Sequence, residues 1–217
     1  MAIKESTYNI EENQKNVVYT SNRLVTEMLS SVQYETVRID SRVLEPSCGD
    51  GNFLEPILRQ KLSGVLQKYG HSRIDIEFYI LRALMSIYGV EIESNVVRIC
   101  RKRLKETTRE FYLKVLSLDH WVHYEHLVDY VLATNIICGD ALSLTSPIDG
   151  TPIVFAEWSF LSSYRVKRRD YIYEQLVNES ENAETTISDR NEVSFIPKPV
   201  KEYTIMKIFN IASHAEI

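Results

Sequence analysis

The chain is predicted to be an α/β protein built on a mostly parallel, doubly wound sheet. Two observations carry that expectation. Short apolar strands alternate with amphipathic helices along most of the chain, the pattern of a parallel sheet flanked by helices. The first such strand ends in a Gly-rich turn that opens a helix, in the run Arg42-Val43-Leu44-Glu45-Pro46-Ser47-Cys48-Gly49-Asp50-Gly51. In open sheets of this kind ligands bind at the carboxyl ends of the strands.

In chain order, residues 1–16 are polar, lack apolar periodicity and read as a flexible arm, and a domain is expected over 17–177. Residues 17–32 space Val17, Leu24, Val25, Met28, Leu29 and Val32 as a helix does, behind a Thr20-Ser21 cap. A helix after the Gly-rich turn starts near Asn52 and puts Phe53, Leu54, Ile57, Leu58 and Leu62 on one face, with its end and a loop over 64–72. A helical stretch over 76–87 leads into the strand Ile87-Tyr88-Gly89-Val90-Glu91-Ile92. Residues 95–109 form a basic amphipathic helix with Val96, Val97, Ile99, Cys100 and Leu104 inward, and another helical segment spans 113–130. Asn135-Ile136-Ile137-Cys138-Gly139-Asp140 is a third strand and Pro152-Ile153-Val154-Phe155-Ala156 a fourth. Residues 178–192 are polar and acidic and predict a loop, and the apolar residues of 193–217 predict a segment packed back on the domain.

Composition sets the frame. A chain of 217 residues with 44% hydrophobic content suits one domain with a real core. No apolar run is long enough to cross a bilayer. The opening Met1-Ala-Ile-Lys-Glu-Ser has no apolar signal core, and three scattered cysteines fit reduced thiols, so a cytoplasmic protein is expected. The net charge of −5 argues against a non-specific nucleic-acid binder, so contact with phosphates needs a local patch. Arg165-Val166-Lys167-Arg168-Arg169 is the densest basic run and offers Arg165, Lys167, Arg168 and Arg169 as that patch; a solvated segment is the plain alternative. His120, His123 and His126 gain no carboxylate or thiol at ligand spacing, so no metal is expected.

The Gly-rich turn carries the chemistry. Its glycines clear a path for a ligand to approach the backbone, and the helix behind it leaves unpaired N–H groups facing the cleft. A phosphate-binding loop needs a lysine that this turn lacks; instead Glu45 and Asp50 stand on its two sides. Carboxylates suit a ligand with cationic groups, such as S-adenosyl-L-methionine. Glu91 closes the next strand, where a carboxylate accepts both ribose hydroxyls, and Asp140 closes the third, where it can accept from an adenine amine or simply cap the segment that follows.

Taken together, Val18-Tyr19-Thr20, Leu44-Glu45-Pro46-Ser47-Cys48-Gly49-Asp50-Gly51, Gly89-Val90-Glu91-Ile92 and Gly139-Asp140-Ala141-Leu142 resemble the amino-methylating, adenine-N6 DNA methyltransferases of restriction–modification systems. The resemblance covers about residues 17–160. It implies a Rossmann-like methyltransferase fold, truncated on its C-terminal side, with S-adenosyl-L-methionine as cofactor and DNA as partner. It further implies that Thr20 and the turn Glu45, Pro46, Ser47, Cys48, Gly49, Asp50, Gly51 hold the methionine part. Glu91 would bind the ribose, Ile92 flank the adenine and Asp140 read its amine, with Tyr19, Phe53 and Ala141 in the same site.

The chain departs from this pattern at defined points. Ser21 stands where a proline is expected, and Glu45 and Glu91 are 46 residues apart, where about 20 is usual. The family's Asn/Asp-Pro-Pro-Tyr/Phe motif is replaced by Glu157-Trp158-Ser159-Phe160. On the resemblance, Glu157 would accept from the target amine, while Trp158 or Phe160 would stack on the flipped base. Without the prolines no rigid turn aims a carbonyl at that amine, and a buried Trp and Phe beside a surface acid is the bland alternative. Three expectations therefore stand side by side. The first is an N-methyltransferase acting on adenine in DNA. The second is a cofactor-binding module that depends on a restriction or specificity subunit. The third is an N-methyltransferase of small molecules or proteins.

Overall fold

The computed structural model describes residues 27–28, 36–177, 184–187 and 193–214. The expected N-terminal arm and most of the first helix, with Tyr19 and Thr20, lie outside the described residues. The described chain is α/β. A three-stranded parallel sheet, β1 (Val43–Glu45), β2 (Ile87–Glu91) and β3 (Ile136–Cys138), runs in the order β1-β2-β3. Helices α1 (Leu54–Tyr69) and α2 (Arg73–Leu84) connect β1 to β2, and α3 (Ser94–Val115) and α4 (Leu118–Asn135) connect β2 to β3. β2 is buried at every residue, as a central parallel strand must be.

α2 accounts for the long interval between Glu45 and Glu91. The Ser72 hydroxyl caps it, accepting the Asp75 N–H at 3.4 Å. α1 buries Leu54, Ile57, Leu58 and Leu62 and continues through Gly64 to Tyr69, so the expected end at Gly64 is corrected. Gly64 sits against the Val37 carbonyl and the Ile39 side chain, so tertiary packing outweighs its poor helix propensity. On α3, Val97, Cys100 and Leu104 are buried as expected and Val96 is half-buried, but Ile99 falls off the buried stripe and is exposed.

The expected fourth parallel strand is corrected. β4 (Val154–Leu161) pairs antiparallel with β5 (Arg165–Ile172), which adds β8 (Lys201–Glu202) and β9 (Met206–Lys207). This second sheet is hydrogen-bonded within itself and is not a continuation of the first. A short helix α5 (Tyr173–Val177) follows β5. Within 178–192, residues Glu184–Ile187 form strand β6, paired antiparallel with β7 (Val193–Ile196). That stretch therefore holds a strand where a loop was expected; its Thr-Thr-Ile segment carries β propensity that the surrounding acids mask. The terminal 3-10 helix, Ile208–His214, buries Ile208 and Ile211 in the common core.

Asn135 ties the two sheets together. Its Nδ2 donates to the carbonyls of Leu84 (3.4 Å) and Ile87 (3.1 Å), and its Oδ1 accepts the Trp158 indole N–H at 3.0 Å. A buried amide with every partner supplied fixes β4 against the end of α2 and the start of β2.

Candidate functional site

Parallel pairing puts the carboxyl ends of β1, β2 and β3 on one edge, with Glu45 beside Gly89 and Glu91 beside Cys138. Beyond β1 the chain turns through Pro46–Gly51 and enters α1. Cys48 N–H donates to the Val90 carbonyl at 2.9 Å, so the turn lies directly on β2. Gly49 (φ 52°) and Gly51 (φ 90°) take left-handed conformations that side chains oppose. Gly89, in β2, allows the close approach: a Cβ there would stand 2.8 Å from the Cys48 sulfur.

Glu91 is the hinge of the site. It is 8% exposed, and its two oxygens accept backbone N–H groups from Gly49 (3.2 Å) and Glu93 (2.9 Å). Each carboxylate oxygen keeps a second lone pair for another donor. Glu45 is half-buried, and burial raises its carboxyl above the ordinary range, partly offset by the Ser47 N–H. Asp140 is bonded by Leu142 N–H at 2.9 Å, and this bond together with Ser143 holds its carboxyl below the usual range. Ile92 projects just past Glu91 as an exposed apolar side chain. Phe53 and Ala141 are half-buried near the same edge.

Asp50 is engaged by α3. One oxygen pairs with Arg103 at 2.7 Å, and Oδ1 is buried without a partner among the described residues. Cys48 and Cys100 are buried side by side beneath the turn; their mutual hydrogen bond, then burial, pushes the Cys48 thiol far up, so it is an inert packing group. Among the described residues, no group of three His, Cys, Asp or Glu is placed to hold a metal ion.

The residues expected to act on the target, Glu157, Trp158 and Phe160, border one cavity of 270 Å³, but Glu157 and Trp158 have their polar groups engaged within the fold. Glu157, Trp158 and Phe160 lie within β4, where successive side chains point to opposite faces. Glu157 is paired with Arg42 (2.7 Å) and, across the ladder, Arg169 (3.4 Å). Trp158 points the other way, is 3% exposed and has its indole N–H committed to Asn135. Phe160 meets Phe78 edge-on, with the Arg82 guanidinium 4.8 Å from its ring centroid. Trp158 is thus corrected from a stacking surface to a core residue. Alternation along the strand sets the Glu157 side chain on the face opposite both rings.

Most of the basic run is paired within the fold. In β5, Lys167 pairs with Glu202, Arg168 with Asp170 and Arg169 with Glu157, while Arg165 Nε donates to the Ser162 carbonyl. Alternation along β5 sets Arg165, Lys167 and Arg169 on one face and Arg168 on the other, and three of the four cations already pair with acids of the fold.

Sequence reasoning missed two polar groups that shape the region. Asn135 closes α4 rather than opening β3, and its amide is buried. Lys61, fully buried in α1, donates to the carbonyls of Arg38 (2.7 Å) and Ser41 (2.6 Å) and fixes the approach to β1. Amphipathic spacing gives no signal for either, since both types are normally exposed.

No family model, curated protein or solved structure matches the chain. Among the described residues no helix is long and apolar enough to cross a membrane.

Proposed function

We propose that the chain binds S-adenosyl-L-methionine at the carboxyl edge of its parallel sheet and serves methyl transfer to an exocyclic amine, adenine N6 in DNA being the first candidate. On this reading the small parallel sheet is the cofactor half of a Rossmann-like methyltransferase fold. The observation that carries the reading is the bond from Gly49 N–H to Glu91, which joins the Gly-rich turn to the acid of the next strand. That bond holds together segments 42 residues apart. The acceptors suit the ligand: Glu45 for the ammonium, Glu91 for the ribose hydroxyls and Asp140 for the adenine amine, with Ile92 against an adenine face.

When bound, the cofactor supplies an electrophilic methyl group on sulfur. Glu45 would hold its ammonium and Glu91 its ribose hydroxyls. The chain's share is to hold the ligand's charges and exclude solvent.

A second reading is favoured by the pairing of Glu157 with two arginines and the burial of Trp158. With those groups committed to the fold, the surface that receives the amine comes from a partner subunit, and this chain is the cofactor-binding module.

Calorimetry of the purified chain with S-adenosyl-L-methionine and with its demethylated product tests the common premise. Saturable one-to-one binding is expected, and no uptake of either compound overturns both readings. Transfer of labelled methyl to unmethylated DNA by the chain alone then separates them. Incorporation favours the first reading, and binding without incorporation favours the second.

A further inference from the structure

A cavity of 490 Å³ opens on one face of the antiparallel sheet, and neither Glu45, Glu91 nor Asp140 borders it. Phe155 and Tyr171 stand opposite each other across the β4–β5 ladder. Glu157 and Arg169 stand opposite each other two residues along, so all four side chains share that face. Leu44 of β1, Arg42 just before it and Leu176 of α5 belong to the surrounding walls.

The cavity has an apolar part and a cationic part. Apart from Arg42, Glu157 and Arg169, its described lining is apolar or aromatic. The Phe155 ring meets Tyr88 and Tyr173 edge-on, with centroids 5.7 and 4.9 Å away, so the apolar part is held in place. In the cationic part Arg42 reaches Glu157 Oε1 at 2.7 Å and Arg169 reaches Oε2 at 3.4 Å. Glu202 is shared between Lys167 and Arg169, so three cations of this face meet two carboxylates and one positive charge is left over. A guanidinium carries five N–H donors, and the bond to Glu157 uses one of those on Arg42.

We propose that this cavity binds a small aromatic monocarboxylate. The ring system lies against Phe155, Tyr171 and Leu176, and the carboxylate pairs with Arg42. The volume falls within the range of about 300–1,000 Å³ usual for small-molecule sites, which are likewise mostly apolar with a few polar groups that set orientation. A single negative charge balances the surplus cation. A phosphate ester, at about −1.5 to −2, would leave an unmatched charge beside Glu157. The bound molecule touches β1 on one side and the β4–β5 face on the other, so it stabilises the folded chain. This inference rests on the cavity and not on the cofactor reading.

The test titrates naphthaleneacetate and its neutral counterpart, naphthaleneacetamide, into the full chain by calorimetry and follows thermal unfolding in parallel. The acid is expected to bind saturably, one to one, and to raise the unfolding midpoint. The amide binds at least about tenfold more weakly, as the loss of a charge-assisted hydrogen bond requires. Arg42→Gln weakens the acid at least about tenfold and leaves the amide unchanged, a charge-specific effect that general loss of structure does not produce. Leu176→Trp, which adds bulk at a half-exposed position on the cavity wall, weakens both probes at least about tenfold. Four results overturn the proposal: no binding of either probe, equal affinity for the two, equal weakening of both in Arg42→Gln, or displacement of the acid by S-adenosyl-L-methionine. The first is also the outcome if another segment of the chain fills the space, and the last makes the cavity part of the cofactor site. Binding of the acid without cofactor uptake leaves this inference standing and removes the cofactor reading.

Discussion

The Gly49 N–H donates to the Glu91 carboxylate across 3.2 Å, so the end of β2 holds the turn that follows β1. Glu91 also accepts from Glu93, so its removal leaves two part-buried backbone donors without this partner. Glu91→Ala is expected to cost about 1–3 kcal/mol of stability and to weaken cofactor binding at least about tenfold. Urea unfolding and calorimetry read the two effects separately. Unchanged binding in a folded variant would remove Glu91 from the site.

Glu45 gives the binding a pH dependence whose sign is fixed. Burial raises its carboxyl, so it protonates at a higher pH than an exposed glutamate does. Affinity for a cationic ligand should rise as pH climbs through that raised range and the carboxylate forms. Through this group the free chain behaves oppositely, because the buried charge is unfavourable and its protonation on acidification relieves the cost. Glu45→Gln should flatten the dependence; an unaltered pH profile of binding in that variant would exclude Glu45 as the ammonium partner.

Lys61 should govern alkaline stability. Burial pulls its ammonium down to about 8, below its ordinary range, so the unfolded chain holds the proton more tightly than the folded one. From this group alone, stability rises as pH goes from about 8 to about 10.5, by about 3 kcal/mol in all. Denaturant midpoints across that interval should climb in the wild type and lose the climb in Lys61→Met.

Trp158 and Glu157, neighbours in β4, should behave differently when replaced. Trp158→Phe leaves Asn135 Oδ1 buried without its donor and should destabilise by about 1–3 kcal/mol, with cofactor binding intact. Glu157→Ala breaks partly exposed ion pairs, worth less than about 1 kcal/mol, and should leave methyl transfer unaffected. A large loss of transfer in Glu157→Ala with normal cofactor binding would restore Glu157 to the chemistry.

The parallel half was legible because each strand announces itself locally. β2 and β3 are short apolar runs ending at an acid or Gly-acid, and the turn after β1 has the glycines its backbone angles require. β4 was legible as a strand but not in its pairing. Alternating residues state which faces are buried, while partner and direction depend on β5, whose basic sequence reads as surface. For the same reason Glu157, Trp158 and Phe160 were adjacent in sequence yet divided between two faces. The buried roles of Lys61 and Asn135 arise from backbone carbonyls supplied by distant segments, and the residue types themselves give no hint of them.

Gly89 concentrates much of this arrangement in a single missing methyl. Its bare Cα is the floor on which the Cys48 segment rests, and Leu54 of α1 crowds the same point. One added carbon there would act as a wedge, prising the loop up by less than a bond length while every acid kept its identity. A lesion of that kind would give a heat-sensitive protein, sound when cool and blunted when warm, through a residue that contacts no ligand.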